Sequence, residues 1–211
     1  SNISSTDMPT RLASVVRNFF WILASDLRVN GRRFIGEYLF LNLPAKFGTK
    51  PEAYPLLFAI SLNSEVENFK SLVRKKFYNG LRFHRIFPSS FVQTGDPSSR
   101  RGQTEKTGTG GPGYTLPAEI KLKHNKGAVA MARLPDKINP AKNSNGSQFY
   151  VCLTPLPKLD GQYTVFAKVL EGLDALEAIS NEPTNSDDFP LPKIVIKSIV
   201  IQPRDTSATK R

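Results

Sequence analysis

One arginine, two glutamines and a set of aromatic residues supply most of the chemistry this sequence can offer. Arg85 stands in Phe83-His84-Arg85-Ile86-Phe87-Pro88, Gln93 in Phe91-Val92-Gln93-Thr94-Gly95-Asp96, and Gln148 in Asn145-Gly146-Ser147-Gln148-Phe149-Tyr150. A guanidinium stays protonated and carries a rigid fork of donors, while a glutamine carries a neutral donor and a neutral acceptor. None of the three is a nucleophile or a proton shuttle. Set beside apolar rings, such groups suit gripping a proline ring and polarising its amide bond, not hydrolysis.

Other chemistries find little support. Only His84 and His124 are present as histidines, in separate segments, so a zinc site lacks ligands at suitable spacing. Ser89-Ser90 has no Gly-x-Ser-x-Gly elbow around it. The run Gly108-Thr109-Gly110-Gly111-Pro112-Gly113 lacks the Lys-Ser/Thr of a phosphate-binding loop and reads as a connection. Asn145-Gly146-Ser147 matches a glycosylation sequon by accident. Cys152 is the single cysteine, so no intrachain disulfide forms, and its apolar neighbours Tyr150-Val151 and Leu153 predict a buried thiol.

The elements that must position these residues come next. Thirty-nine per cent hydrophobic residues over 211 positions are enough for one sizeable core. A formal charge of +11 favours acidic partners. The cations are scattered with no run of five, however, so they read as solvation rather than a nucleic-acid stripe. Residues 1–35 predict an amphipathic helical arm: Leu12, Val15, Val16, Phe19, Phe20, Leu23 and Leu27 recur at helical steps, and Asn30-Gly31 ends them. That face has to be buried, and residues 9–27 are expected to dock it in a larger protein assembly. Its run Phe19–Ala24 falls far short of the ~20 residues of a membrane span. The sequence begins without methionine, so a targeting segment ahead of it is an open expectation.

Residues 36–203 predict the main domain and 204–211 a basic tail. Strands are expected at 37–43, 54–60, 81–86, 91–93, 128–133, 148–153, 163–170 and 193–201, with helices at 65–76 and 173–179. Many short strands with two helices predict a mainly β fold, a closed antiparallel barrel capped by the helices.

Five segments in this order resemble one family: Phe83–Ile86, Gln93-x-Gly95-Asp96-Pro97, Gly108–Tyr114, Asn145–Tyr150, and Leu159-Asp160-Gly161-Gln162-Tyr163-Thr164-Val165-Phe166. Together they are similar to the cyclophilin family of peptidyl-prolyl cis–trans isomerases, over about Phe34 to Pro203. The resemblance implies an eight-stranded barrel, a groove on its outer face, proline-containing polypeptide segments as clients and no cofactor. It places the essential arginine on Arg85 and the groove glutamines on Gln93 and Gln148. It also implies a backbone-contacting alanine at Ala132 and pocket residues at Phe91, Tyr150, Leu159 and Tyr163. The long glycine-rich loop resembles bacterial or organellar members, which implies an intracellular setting: mitochondrion, plastid or bacterial cytoplasm.

The match has gaps. Ser90 stands where the family has a pocket-floor phenylalanine, and Lys158 where cyclosporin-sensitive members have tryptophan. Losing a buried ring removes about 1.5–3 kcal/mol of apolar contact. Reduced isomerase activity and weak cyclosporin binding are the expectations that follow. The alternative is a non-catalytic scaffold docked by its helical arm.

Overall fold

A computed structural model describes residues 28–29, 32–33, 38–42, 56–60 and 64–202, with side chains over 64–201. The helical arm expected over 1–35, its docking stretch 9–27 and the tail 204–211 lie outside the described residues, apart from two short strands. The chain divides into Ser1–Ile35 with Arg204–Arg211, and Gly36–Pro203. Of the first unit, β1 (Arg28–Val29) and β2 (Arg32–Arg33) pair antiparallel.

The second unit is mainly β, with two helices. Its strands are β3 (Tyr38–Asn42), β4 (Leu56–Ile60), β5 (Arg85–Phe87), β6 (Phe91–Thr94), β7 (Ala128–Met131), β8 (Phe149–Cys152), β9 (Val165–Glu171) and β10 (Ser198–Gln202). The helices are α1 (Ser64–Arg74) and α2 (Leu173–Ser180). All ladders are antiparallel, in the order β10-β3-β4-β9-β7-β8-β6-β5. The expected closed barrel is corrected in one respect: β5 and β10, at the two ends of that order, share no ladder. The reason lies in the segments just before them. Residues 80–83 and 194–196 join through Gly80 N–H to Ile196 O (2.8 Å), Ile196 N–H to Leu81 O (2.8 Å) and Phe83 N–H to Ile194 O (3.1 Å), the last two making up one isolated bridge, Arg82 to Val195. The strand expected over 193–201 therefore divides its backbone between two partners, and that expected over 81–86 shortens to β5.

Period-two alternation sorts β7 and β8 onto two faces. Val129, Met131, Phe149 and Val151 enter the main core, together with Ile86 and Val92 of β5 and β6. Phe69 of α1 anchors that core against the rings of Tyr78, Phe149 and Phe166 at 4.8, 5.3 and 5.4 Å. The helix places Val66, Phe69 and Val73 inward at three- and four-residue spacing, each almost fully buried. Ala128, Ala130, Tyr150 and Cys152 point to the opposite face. There they meet Val165, with Phe91, Leu122, Ala132, Leu156, Leu159 and Tyr163 packed around them. Both faces of β7 and β8 are buried, which is why their sequences read as continuous apolar runs.

Candidate active site

Strand register alone assembles the centre of the site on the second face. Arg85 pairs with Gln93 across β5 and β6, Gln93 with Tyr150 across β6 and β8, and Tyr150 with Ala130 across β8 and β7. Directly opposed residues project to the same side of a sheet, so the guanidinium, the carboxamide and the phenol form one row. Phe87 and Phe91 form the neighbouring row, their rings tilted against each other with centroids 4.8 Å apart.

The Arg85 side chain is 49% exposed and lies over both rings, 4.8 Å from Phe87 and 5.9 Å from Phe91, within cation–π range. Its Nε is 3.8 Å from Asp188 Oδ2, a loose, solvent-screened pair. On one side of Arg85 and Gln93 a cleft of about 670 Å³ is lined by His84, Gln103, Thr107 and Phe189. Phe91, Tyr150, Leu159 and Tyr163 do not line it; they make the separate apolar cluster. Ring distances there are 5.5 Å from Phe91 to Tyr150 and 5.8 Å from Tyr150 to Tyr163, edge-on in the second case.

The two glutamines meet, but they differ in exposure and commitments. Gln93 Nε2 donates to Gln148 Oε1 at 2.9 Å. Gln148 is 1% exposed, and its own Nε2 donates to the carbonyls of Gly108 (3.0 Å) and Gly110 (2.7 Å). Its amide is thus taken up by the loop, and Gln93 presents the accessible carboxamide. The same loop hangs from Asp96, whose carboxylate accepts from the N–H groups of Ser98 (2.7 Å), Gly108 and Gly110. Ala132 donates its N–H to Gln148 O and accepts from Asn145 N–H, so its backbone faces the Asn145–Gln148 segment. Ser90 lies in the turn between β5 and β6. Its N–H donates to Phe87 O and its carbonyl accepts from Leu153 N–H.

Several residues around the site went unassigned at the level of sequence. Arg133, next to Ala132, lies 4.7 Å over the Tyr163 ring and donates to Gln162 O at 2.8 Å. His124 and Asp160 sit behind Tyr150. Asp160 Oδ1 accepts from His124 N–H at 2.8 Å and lies 3.0 Å from Nδ1, while Nε2 is 3.0 Å from the Tyr150 hydroxyl. Asp160 stands in the segment Leu159–Phe166, and that motif is the one signal in the sequence that points to it. Asp188 lies in a loop with no periodicity to read.

Electrostatics follow burial. The bonds from His124, backbone first and ring second, hold the Asp160 carboxyl below the usual range. Burial raises the Tyr150 phenol well above its ordinary value, so it stays neutral, and pushes the Cys152 thiol up to about 12. Burial lowers His84, with the Asp96 charge acting in the opposite sense. Among the described residues no cluster of three or more histidine, cysteine and carboxylate side chains is placed to hold a metal, and no helix is long and apolar enough to cross a membrane.

Comparison with known proteins bears on this geometry. The family described as cyclophilin-type peptidyl-prolyl cis–trans isomerase/CLD matches residues 56–201. Peptidyl-prolyl cis-trans isomerase-like 1 of Aspergillus fumigatus is 37% identical over 145 residues, 65% of this chain and 82% of that protein. Peptidyl-prolyl cis-trans isomerase B of Bacillus subtilis is 38% identical over 139 residues, 64% of this chain and 82% of its own. A Cryptosporidium parvum cyclophilin-type isomerase superposes with a TM-score of 0.65 at 28% identity, covering 79% of this chain and 97% of that one. The same protein was also solved in the presence of the dipeptide Ala-Pro, with a TM-score of 0.65.

Proposed function

The chain belongs to the cyclophilin-type peptidyl-prolyl cis–trans isomerase family, and from that premise we propose how its own residues turn an X–Pro bond. The observation that carries the proposal is the row Arg85–Gln93–Tyr150, with the guanidinium lying over two aromatic rings at the edge of an apolar cluster.

Rotation about an X–Pro bond is slow because resonance stiffens the C–N bond, with a barrier of about 18–20 kcal/mol. Twisting the bond localises the nitrogen lone pair. A donor fixed at that nitrogen is therefore rewarded more in the twisted state than in the planar one. Arg85 supplies the donor, and its charge persists at any working pH. Phe91, Tyr150, Leu159 and Tyr163 hold the proline ring, and Gln93 holds the client backbone through its carboxamide. Gln148 acts through Gln93, as the hydrogen bond between them and its ties to Gly108 and Gly110 support. Ser90 and Ala132 border the groove through backbone atoms. Clients are proline-containing polypeptide segments.

A prolyl-peptide isomerisation assay on the protein and on Arg85→Ala tests this. Loss of the donor is expected to lower kcat/KM by about 10²–10³-fold. The fold should barely respond, because the pair with Asp188 is exposed and such pairs contribute about 0–1 kcal/mol. Equal rates for the two proteins would remove Arg85 from the reaction.

A further inference from the structure

Behind the proline pocket lies a hydrogen-bonded strut that the isomerase chemistry does not itself use. His124 is 1% exposed and stands between two partners on different segments, Asp160 at Nδ1 and the Tyr150 hydroxyl at Nε2, each at 3.0 Å. In a neutral imidazole, a carboxylate accepting at Nδ1 leaves Nε2 to accept from the Tyr150 hydroxyl; in either protonation state the ring nitrogens bridge the two partners. Asp160 Oδ1 also takes the backbone N–H of His124, and His124 O takes the N–H of Leu156. The 3-10 turn Pro157–Leu159 therefore lies between two points tied to one histidine.

The consequence falls on three pocket walls at once. Leu159 immediately precedes Asp160 in this turn. The imidazole stacks parallel to the Tyr150 ring, 6.0 Å apart and 8° from parallel. Tyr163 stands edge-on to both rings, at 6.3 and 5.8 Å. Packing alone would restrain the phenol through ring contacts that tolerate sliding. A 3.0 Å bond from its para oxygen to a buried nitrogen restrains the ring's depth and tilt as well, since hydrogen bonds weaken steeply off axis.

We infer that His124 and Asp160 are positioning residues for the proline pocket, acting through the hydroxyl of Tyr150 to hold Tyr150, Leu159 and Tyr163 in one arrangement. This rests on the reading of the cluster as the proline site. A preorganised wall acts on the bound proline in planar and twisted states alike, so its loss should appear in KM rather than kcat.

Steady-state isomerisation of an Ala-Pro-containing tetrapeptide by wild type, Tyr150→Phe, Asp160→Asn, the double variant and Arg85→Ala tests it. Each single strut variant is expected to raise KM about three- to tenfold while kcat stays within about twofold, the range expected for coupled neighbours. The double variant should raise KM no further than the more affected single variant, and Asp160→Glu should recover part of the loss. Two results overturn the inference: a lowered melting temperature in Tyr150→Phe with KM unchanged, or multiplying KM effects in the double variant. Should Asp160→Asn fail to fold, Tyr150→Phe decides alone, since it keeps the ring. A wild type no faster than Arg85→Ala would instead overturn the underlying site reading, and this inference with it.

Discussion

Replacing Gly95 by alanine is expected to damage stability and activity together. Gly95 has φ +94°, a region that L side chains rarely adopt, and forcing a Cβ there costs about 1–2 kcal/mol. Space is the second obstacle. A Cβ at this position would stand 2.8 Å from the Cα of Gln148, and closer still to the carbonyl oxygen of Ser147. Both neighbours are backbone, so neither can swing aside, and overpacking of this kind costs about 1–3 kcal/mol. The two terms together remove about 2–5 kcal/mol from a total stability on the order of 5–15 kcal/mol. The melting temperature should fall by roughly 10 °C. The displaced atoms belong to the segment that Ser147 Oγ ties to Gly95 O at 2.8 Å and that carries the 2.9 Å bond between Gln148 and Gln93. Isomerisation should weaken even well below the melting range. Thermal unfolding and the peptide assay check the two halves. A variant that melts within about 2 °C of wild type and turns over peptide normally would refute the argument.

Three further outcomes are expected. Burial raises the carboxyl of Glu65, so the fold favours its protonated form; that stabilisation is present at acid pH and lost as pH rises through the elevated value. Glu65→Gln should therefore be the more stable protein near neutral pH and flatten the pH dependence of the urea midpoint, and a steeper dependence would contradict this. Asp96→Ala leaves the N–H groups of Ser98, Gly108 and Gly110 without their acceptor; a loss of about 1–3 kcal/mol and faster proteolytic cutting between Pro97 and Gly113 should follow. Cys152, with its thiol pushed up to about 12 by burial, should react with an aromatic disulfide reagent only after unfolding; stoichiometric labelling of the native protein would count against its burial.

What could be read from the sequence depended on range. The spacing of Val66, Phe69 and Val73 and the apolar runs at Ala128–Met131 and Phe149–Cys152 are local patterns, and the helix and strands appear within a few residues of where the patterns place them. Arg85, Gln93 and Tyr150 were legible as a set through motif resemblance, but their alignment in one row comes from register, which no single segment encodes. The split of 193–201 between two partners was hidden for the same reason: alternation says which side chains point inward, not which strand receives the backbone. Gln93 and Gln148 looked equivalent as residue types. Only the carbonyls of Gly108 and Gly110, about forty positions away, make one a brace and leave the other accessible. His124, Tyr150 and Asp160 are far apart in the chain, and nothing about their spacing announces a shared hydrogen-bonded line.

The manner in which Arg85 is steadied has one more consequence. Among the described residues it is held by two ring faces and by a carboxylate 3.8 Å from Nε, and no hydrogen bond engages its terminal nitrogens. On the proposed role of Arg85, an arriving client displaces water from them and breaks no internal bond. The reorganisation that solvent would have to perform around a rotating amide is already built into the fold before the peptide arrives.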